Sequence, residues 1–223
     1  MNSTYETDAP SRPQRKDVIR NRELLLQAGR EVFAERGLTA SLDEIARHAG
    51  LGIGTAYRHF ANKHELATAV MRQSFQQLVS EFDRLIELDD PWQGVVELFE
   101  SVMTLQNQDR GLHEAFTGIT TWDEMEPERQ TITDRFEKIF DRAQAAGKVR
   151  DDATFTDMAL LLMMFCSLAD IIDDENSELW RRFLPMMLEG LKPGGTALPV
   201  LGLTADQLQV AIAKQKGVKE PLC

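Results

Sequence analysis

Four hydrogen-bonding side chains follow one another closely after a glycine-rich turn, at Thr55, Tyr57, Arg58 and His59. Hydroxyl and imidazole groups can bond phosphate oxygens, and an arginine fork can also read the edge of a guanine. Such a cluster resembles neither a nucleophile paired with a base nor a set of metal ligands. The chemistry that these residue types favour is recognition of a polyanion.

Two short helices joined by a glycine-centred turn are predicted to position this cluster. Ser41 and Glu44 have the spacing of a capping box, in which both side chains satisfy free backbone donors at a helix start. Gly50 is placed to end the first helix, since glycine adopts left-handed backbone at little cost. A second helix is predicted at about residues 53–60. Its inward positions would be Ala56 and Phe60.

This helix-turn-helix pattern has one common role, which is to hold its second helix against the major groove of DNA. We therefore expect Thr55, Tyr57, Arg58 and His59 to contact DNA. Further contacts are expected from Lys63, at the start of the next helix, and from the preceding helix through Ser41 and Arg47. An α-hairpin whose polar residues are merely solvated is the alternative, and the Tyr-Arg-His-Phe run disfavours it.

From about Arg20 to Val70 the sequence resembles the TetR-like family of transcriptional regulators. The matching segments are VFAERG at 32–37, SLDEIA at 41–46, Gly50, GT at 54–55, Tyr57, HF at 59–60 and NK at 62–63. The resemblance adds Gly54 to the expected DNA-contact residues. It implies an all-helical homodimer with an N-terminal DNA-binding domain. A C-terminal helical bundle would dimerise and usually sense a small molecule.

Three positions depart from the family pattern. The family often has serine where Gly52 stands, a polar or basic residue where Ile53 stands, and a larger apolar residue where Ala56 stands. These changes leave fewer polar groups to read bases, so no relative's operator sequence transfers to this chain. They also keep open the alternative of a helical interaction or ligand-binding module without specific DNA binding.

The charge of the chain is unevenly divided. The net charge is −11, yet residues 10–64 carry 10 Lys and Arg against 6 Asp and Glu. Residues 67–223 carry 15 against 27. A locally basic surface can attract DNA because salt screens acidic groups that lie farther away than about 8–10 Å. An acidic chain is therefore compatible with DNA binding.

The predicted organisation has four parts. They are a flexible basic arm at 1–15, a helix-turn-helix domain at 16–66 with its motif at about 41–60, a ligand-sensing and dimerisation domain at 67–192, and a tail at 193–223 with a possible short helix. The arm is read either as a solvated tail or as a segment that orders on DNA. Outside the motif, the first predicted helix begins at residue 16 or 18 and ends at residue 36. The other predicted helices are at 62–88, 91–106, 112–120, 127–146, 154–173, 177–191 and about 204–216. An acidic loop is predicted at 121–128.

The helix predicted at 154–173 is apolar nearly all round. Such a helix must be buried on most faces. Burial between two subunits predicts a homodimer through about residues 154–191, and burial within one subunit is the alternative. Large apolar residues could also line an effector pocket, although each would equally suit an ordinary core. The candidates are Phe99, Met103, Phe116, Trp122, Phe136, Phe140 and Met163.

Enzymatic sites are not apparent in the sequence. It has no phosphate-binding glycine loop, nucleophile elbow or paired-cysteine spacing, so we expect no catalytic residue, cofactor or metal site. Two cysteines make no disulfide framework, and no apolar run approaches the roughly 18 residues of a membrane span. We therefore predict a cytoplasmic transcriptional regulator. It would be a repressor that binds a palindromic operator and is released from it by a small-molecule effector. A helical enzyme is the less favoured alternative.

Overall fold

The computed structural model describes residues 12–108, 125–167, 178–208 and 210–211, and in these ranges the chain is helical without any β-strand. The predicted all-α class is therefore confirmed. Eight α-helices follow in order: α1 Arg12–Arg36, α2 Leu42–His48, α3 Ile53–His59, α4 Lys63–Ile86, α5 Pro91–Gln108, α6 Glu126–Ala145, α7 Phe155–Cys166 and α8 Trp180–Glu189. A 3-10 turn, Gly37–Thr39, separates α1 from α2. The predicted helix at 112–120 lies outside the described residues.

Several helix boundaries differ from the predictions, and prolines explain two of the differences. α1 begins at Arg12 rather than at residue 16 or 18, so the end of the predicted arm is helical. Pro13 lies in the first turn, where a missing backbone N–H costs nothing. α6 likewise begins at Glu126, with a proline in its first turn, inside the segment predicted as an acidic loop. The last helix, α8, begins at Trp180 after a turn at 178–179, later than the predicted residue 177.

The described chain divides into two compact units, with the boundary between Met71 and Arg72 inside α4. In the first unit, α1, α2, α3 and the start of α4 surround one apolar core. Gly29 brings α1 close to α4, because a Cβ at this position would lie 3.2 Å from Val70 Cγ2. Leu66 is also within contact distance of that position. Glycine at this point therefore allows two helices of the unit to pack closely.

The second unit joins α5, α6, α7, α8 and the remainder of α4. Arg142 on α6 donates through Nη1 to the Ile86 carbonyl and through Nη2 to the Leu88 carbonyl at 2.9 Å, so it caps the end of α4. Gly94 on α5 permits close packing, since a Cβ there would lie 3.2 Å from the Leu85 carbonyl oxygen. None of the described helices is both long and apolar enough to cross a membrane.

The chain after α8 is held against the loop and helix cap that precede α7. Arg150 donates to the carbonyl oxygen of Thr196, and the Leu198 N–H donates to Asp152 Oδ2 at 3.0 Å. The Thr156 hydroxyl donates to the Leu203 carbonyl at 2.5 Å. A short helical turn at 205–208 lies within the helix predicted at 204–216.

Asn62 anchors the start of α4, and its removal is expected to destabilise the first unit. Its Oδ1 accepts a 2.9 Å hydrogen bond from the Glu65 N–H and so caps the helix. We expect Asn62→Ala to lower the free energy of unfolding by about 1 kcal/mol, because a helix N-terminal donor loses its partner. Asn62→Asp keeps the acceptor and should retain stability. Urea denaturation followed by circular dichroism measures both, and equal losses in both variants would contradict the capping role.

Candidate nucleic-acid interface

The outward face of α3 is set by which of its residues are buried. Ala56 is fully buried, and Phe60 directly after the helix is buried as well. Successive residues of a helix turn by about 100°, so the side opposite Ala56 is centred near Gly54. Gly54, Tyr57 and Arg58 are exposed in agreement with this geometry. Ile53, in the first turn and only about 60° around the helix from Ala56, is exposed as well.

Thr55 and His59, both predicted to point outward, are half-buried at the margins of this face. The Thr55 hydroxyl accepts a 3.1 Å hydrogen bond from Arg58 Nη2. This contact holds the guanidinium beside the helix while leaving its other N–H groups able to bond a base or phosphate. Thr55 therefore orients Arg58 in addition to any contact of its own.

Tyr57 stands out from α3 with 51% of its surface exposed. The neighbouring Asp43 carboxylate on α2 raises the pKa of the Tyr57 hydroxyl, chiefly because its negative charge opposes formation of a phenolate. The hydroxyl therefore stays protonated and able to donate. Asp43 thus links the two helices of the motif on the side that faces outward.

His59 is partly buried beside two arginines, and both conditions favour the neutral form of its ring. Partial burial lowers the pKa of His59, and the positive charges of Arg58 and Arg22 lower it further. The Arg22 guanidinium also lies 5.2 Å from the centroid of the Phe60 ring, a cation–π arrangement between α1 and the end of α3. A neutral imidazole can still donate one hydrogen bond to a phosphate.

The residues predicted on α2 take up two different roles. The Ser41 hydroxyl and backbone N–H donate to Glu44 Oε2, each at 2.8 Å, and the Glu44 N–H donates back to Ser41 Oγ at 3.3 Å. This confirms the predicted capping box, so the serine side chain is occupied in forming the helix. Arg47 is exposed on α2. The next residue, His48, lies 2.7 Å from Glu31 of α1 and ties α2 to that helix.

Lys63 is bound within the first unit. Its ammonium donates a 2.6 Å hydrogen bond to the Leu38 carbonyl oxygen, in the 3-10 turn after α1. The predicted phosphate contact would use the remaining donors of the same group. Lys63 therefore fixes the start of α4 relative to the motif, a role the sequence prediction missed.

Glycines form the turn between α2 and α3, and Gly54 leaves the middle of the outward face without a side chain. Gly50 has φ +68, the left-handed conformation predicted for the residue that ends α2. Gly52 is the N-cap of α3 and supplies no side-chain hydrogen bond to it. Gly54 has a φ outside the left-handed region, and a Cβ there would meet no atom within 4 Å. Nothing in the described part of the molecule therefore requires glycine at residue 54.

Most of the residues predicted to line an effector pocket belong to the core of the second unit. Phe99, Met103, Phe136 and Phe140 are buried, while Met163 is exposed on α7. Phe116 and Trp122 lie outside the described residues. An open groove of about 450 Å³ between α4 and α5 is lined by none of the five described candidates. The lining residues are Gln77, Leu78, Glu81, Gln93, Glu97, Glu100, Ser101, Thr104, Leu105 and Arg181.

Comparison with protein families gives two matches along the chain. The family model described as "Bacterial regulatory proteins, tetR family" matches residues 25–70. The model described as "Transcriptional regulator SbtR-like, C-terminal domain" matches residues 90–193. The first match includes the whole helix-turn-helix, and the second covers α5 to α8.

Individual proteins are similar to this chain either over the N-terminal part alone or over most of its length. An HTH-type transcriptional regulator of Staphylococcus aureus (strain bovine RF122 / ET3-1) is 33% identical over 72 residues, which are 32% of this chain and 39% of that protein. The similarity to this curated relative therefore spans less than half of its length. The crystal structure of a TetR transcription regulatory protein from Mycobacterium vanbaalenii aligns over 80% of this chain and 98% of its own, with TM-score 0.60 and 27% identity. A TetR transcriptional regulator from Streptomyces coelicolor aligns over 78% and 99%, with TM-score 0.61 and 28% identity.

Gly54→Ala is expected to change stability and DNA binding in opposite directions. Glycine inside a helix costs about 0.5–1 kcal/mol relative to alanine, and space is available for the methyl group. The variant should therefore unfold at equal or higher urea concentration. The added methyl group would lie between the helix and the floor of the DNA major groove. Overpacking of this kind costs about 1–3 kcal/mol, which predicts roughly tenfold weaker DNA binding. Fluorescence anisotropy measures affinity, and unchanged affinity would place Gly54 outside the interface.

Proposed function

Because the chain belongs to the TetR family of helix-turn-helix transcriptional regulators, we propose that it is a repressor that binds a palindromic operator as a homodimer and is released by a small-molecule effector. The observation that carries the DNA-binding part is the outward face of α3. There, Tyr57 and Arg58 project beside the bare Gly54, while Ala56 and Phe60 hold the helix against the core. A DNA-binding regulator of this kind works in the cytoplasm.

The contacts proposed for DNA divide into two classes. Arg58, held by Thr55 at 3.1 Å, is placed to read a guanine edge in the major groove. Tyr57, His59, Arg47 and Lys63 would bond phosphate oxygens, and such contacts fix position without reading sequence. Because these contacts displace counterions, affinity should fall steeply with salt.

Exposed methionines on two helices support dimerisation through α7 and α8. Met164 is 69% exposed on α7, and Met186 is 70% exposed on α8. Phe183 of α8 is also exposed, so apolar surface lies on both helices in the isolated chain. Large exposed apolar side chains are common at protein interfaces, and these lie within the predicted dimer region at 154–191. A two-fold dimer would present two recognition helices to two half-sites.

A buried donor in the second unit supports an effector site there. The Trp180 indole is 1% exposed, and its N–H has no hydrogen-bond partner within the described part of the chain. The ring lies edge-on to Phe165, with centroids 6.4 Å apart. A buried donor without a partner costs about 1–3 kcal/mol. An effector with an apolar body and one acceptor oxygen would offset this cost.

Release would operate through α4. The helix continues unbroken across the boundary at residues 71 and 72. In the second unit, Arg72 of α4 pairs with Glu128 of α6 at 2.5 Å, and Arg135 of α6 pairs with Asp83 of α4 at 3.1 Å. A shift of α6 on effector binding would thus displace α4 and change the separation of the two recognition helices. The effector needs different affinities for the two states to achieve this.

Selection of duplexes from a random pool tests the proposed function. The protein should enrich a palindromic site with half-site centres about 34–36 Å apart. Arg58→Ala should relax preference at one position of each half-site by about 1–3 kcal/mol. Arg58→Lys is the matched control, since it keeps the charge and loses the bidentate fork. Failure of the wild-type protein to enrich any sequence would refute specific DNA binding, and an unchanged preference in Arg58→Ala would reduce Arg58 to a phosphate contact.

Met164→Glu and Met186→Glu are each expected to convert the dimer to monomers, because a carboxylate would be buried in an apolar interface. Gln130→Glu is the control, since it adds the same charge at an exposed position on α6. Sedimentation velocity at micromolar concentration measures the oligomeric state. Dimers that persist in both methionine variants would place the interface elsewhere.

A further inference from the structure

Ile53 is the first residue of α3 and one of two large apolar side chains that are exposed on this helix. It is 42% exposed, and Tyr57 stands four residues later on the same side of the helix. Single exposed apolar residues are common on protein surfaces, so exposure alone explains nothing. What distinguishes Ile53 is its position at the N-terminal end of the helix proposed to enter the groove, the end whose residues contact base edges in helix-turn-helix proteins.

The residues around Ile53 leave its side chain unobstructed. Gly52 and Gly54 flank it and carry no side chains that could shield it. Two polar side chains of the same helix have partners within the protein: Thr55 bonds Arg58, and Tyr57 lies beside Asp43. At this end of α3, the side chain that projects towards a docked duplex is therefore a branched hydrocarbon.

The major groove offers one apolar group to such a side chain. Of the four base pairs, those containing thymine present a C5-methyl group there, while the other base edges present hydrogen-bond donors and acceptors. A hydrocarbon placed against donors or acceptors would leave them without water and unpaired, which is unfavourable. Ile53 would therefore favour thymine over the other bases for two reasons. It buries apolar surface against the thymine methyl group, and it leaves the donors and acceptors of any other base edge without partners.

We propose that Ile53 reads a thymine in each half-site of the operator by packing against its C5-methyl group. The proposal rests on the proposed function, since it requires α3 to lie in the major groove. It assigns a specificity role to the position at which this chain departs from the polar or basic residue common in the family. Gly54 assists, because the absence of a side chain lets Ile53 approach the base pairs closely.

Removal of single methyl groups from the DNA tests this assignment. The probe is the duplex enriched from the random pool, with each thymine replaced in turn by deoxyuridine, which differs by the C5-methyl alone. Wild-type protein should lose about three- to fivefold in affinity at one thymine per half-site, as expected for one buried methyl-sized group. Cytosine and 5-methylcytosine at that position, each paired with guanine, give a second comparison, in which the methylated base should bind more tightly.

Ile53→Ala completes a double-mutant cycle with the deoxyuridine series. Its overall affinity should fall, and its sensitivity to loss of that methyl should disappear. Ile53→Val is the matched control, because it keeps a branched side chain and should keep most of the methyl sensitivity. Circular dichroism melting of both variants verifies that they fold, as expected for a partly exposed position.

The outcomes separate this proposal from the function on which it rests. Tight, specific binding by wild type with no sensitivity to any thymine methyl would overturn the role of Ile53 and leave the regulator intact. Methyl sensitivity that persists unchanged in Ile53→Ala would also overturn it, since another residue would then read the methyl. Absence of specific binding to any duplex would overturn both proposals together.

Discussion

The burial of Ala56 and Phe60 is the constraint on which the proposed DNA contact depends. A seven-residue helix has little stability of its own, so tertiary packing must hold α3 in place. Ala56 brings the helix close to the core of the first unit, and the Phe60 ring is held between that core and the Arg22 guanidinium. Because these two positions are fixed, the direction of the opposite face is fixed as well. Gly54 lies at the centre of that face.

Hydrogen bonds and ion pairs extend this constraint to the rest of the first unit. Lys63 ties the start of α4 to the Leu38 carbonyl, and His48 ties α2 to Glu31 of α1. The His48–Glu31 pair is exposed, so it contributes little to stability on its own. The combined effect of the two contacts is geometric, since they restrict how α2 and α4 can move around α3. A regulator that presents two such helices at a defined separation, as proposed for this chain, would benefit from such a rigid unit.

Local sequence patterns predicted the elements of the motif well. The capping box at Ser41 and the left-handed Gly50 depend on residues within four positions of one another, so their spacing alone reveals them. Contacts between distant residues could not be found in this way. The pairing of Lys63 with Leu38 joins residues 25 positions apart, and its existence depends on how the helices pack.

The candidate site shows the same division. The sequence predicted that Thr55 and His59 point outward from α3, but their half-burial follows from the rotation of α3 against its neighbours. The sequence shows that Ile53 departs from the family pattern, whereas its exposure at the start of α3 follows only from the structure. Apolar residues of the second unit gave the weakest prediction, since the same composition forms either a core or a pocket lining.

Chemical footprinting of the selected duplex with dimethyl sulfate tests the central claim most directly. The reagent methylates guanine N7 in the major groove and adenine N3 in the minor groove, and those two atoms lie on different surfaces of the duplex. If α3 of each subunit lies in the major groove, N7 atoms should be protected in two patches about one helical turn apart. Protection confined to adenine N3, or no protection at all on a duplex that is fully bound, would contradict the account.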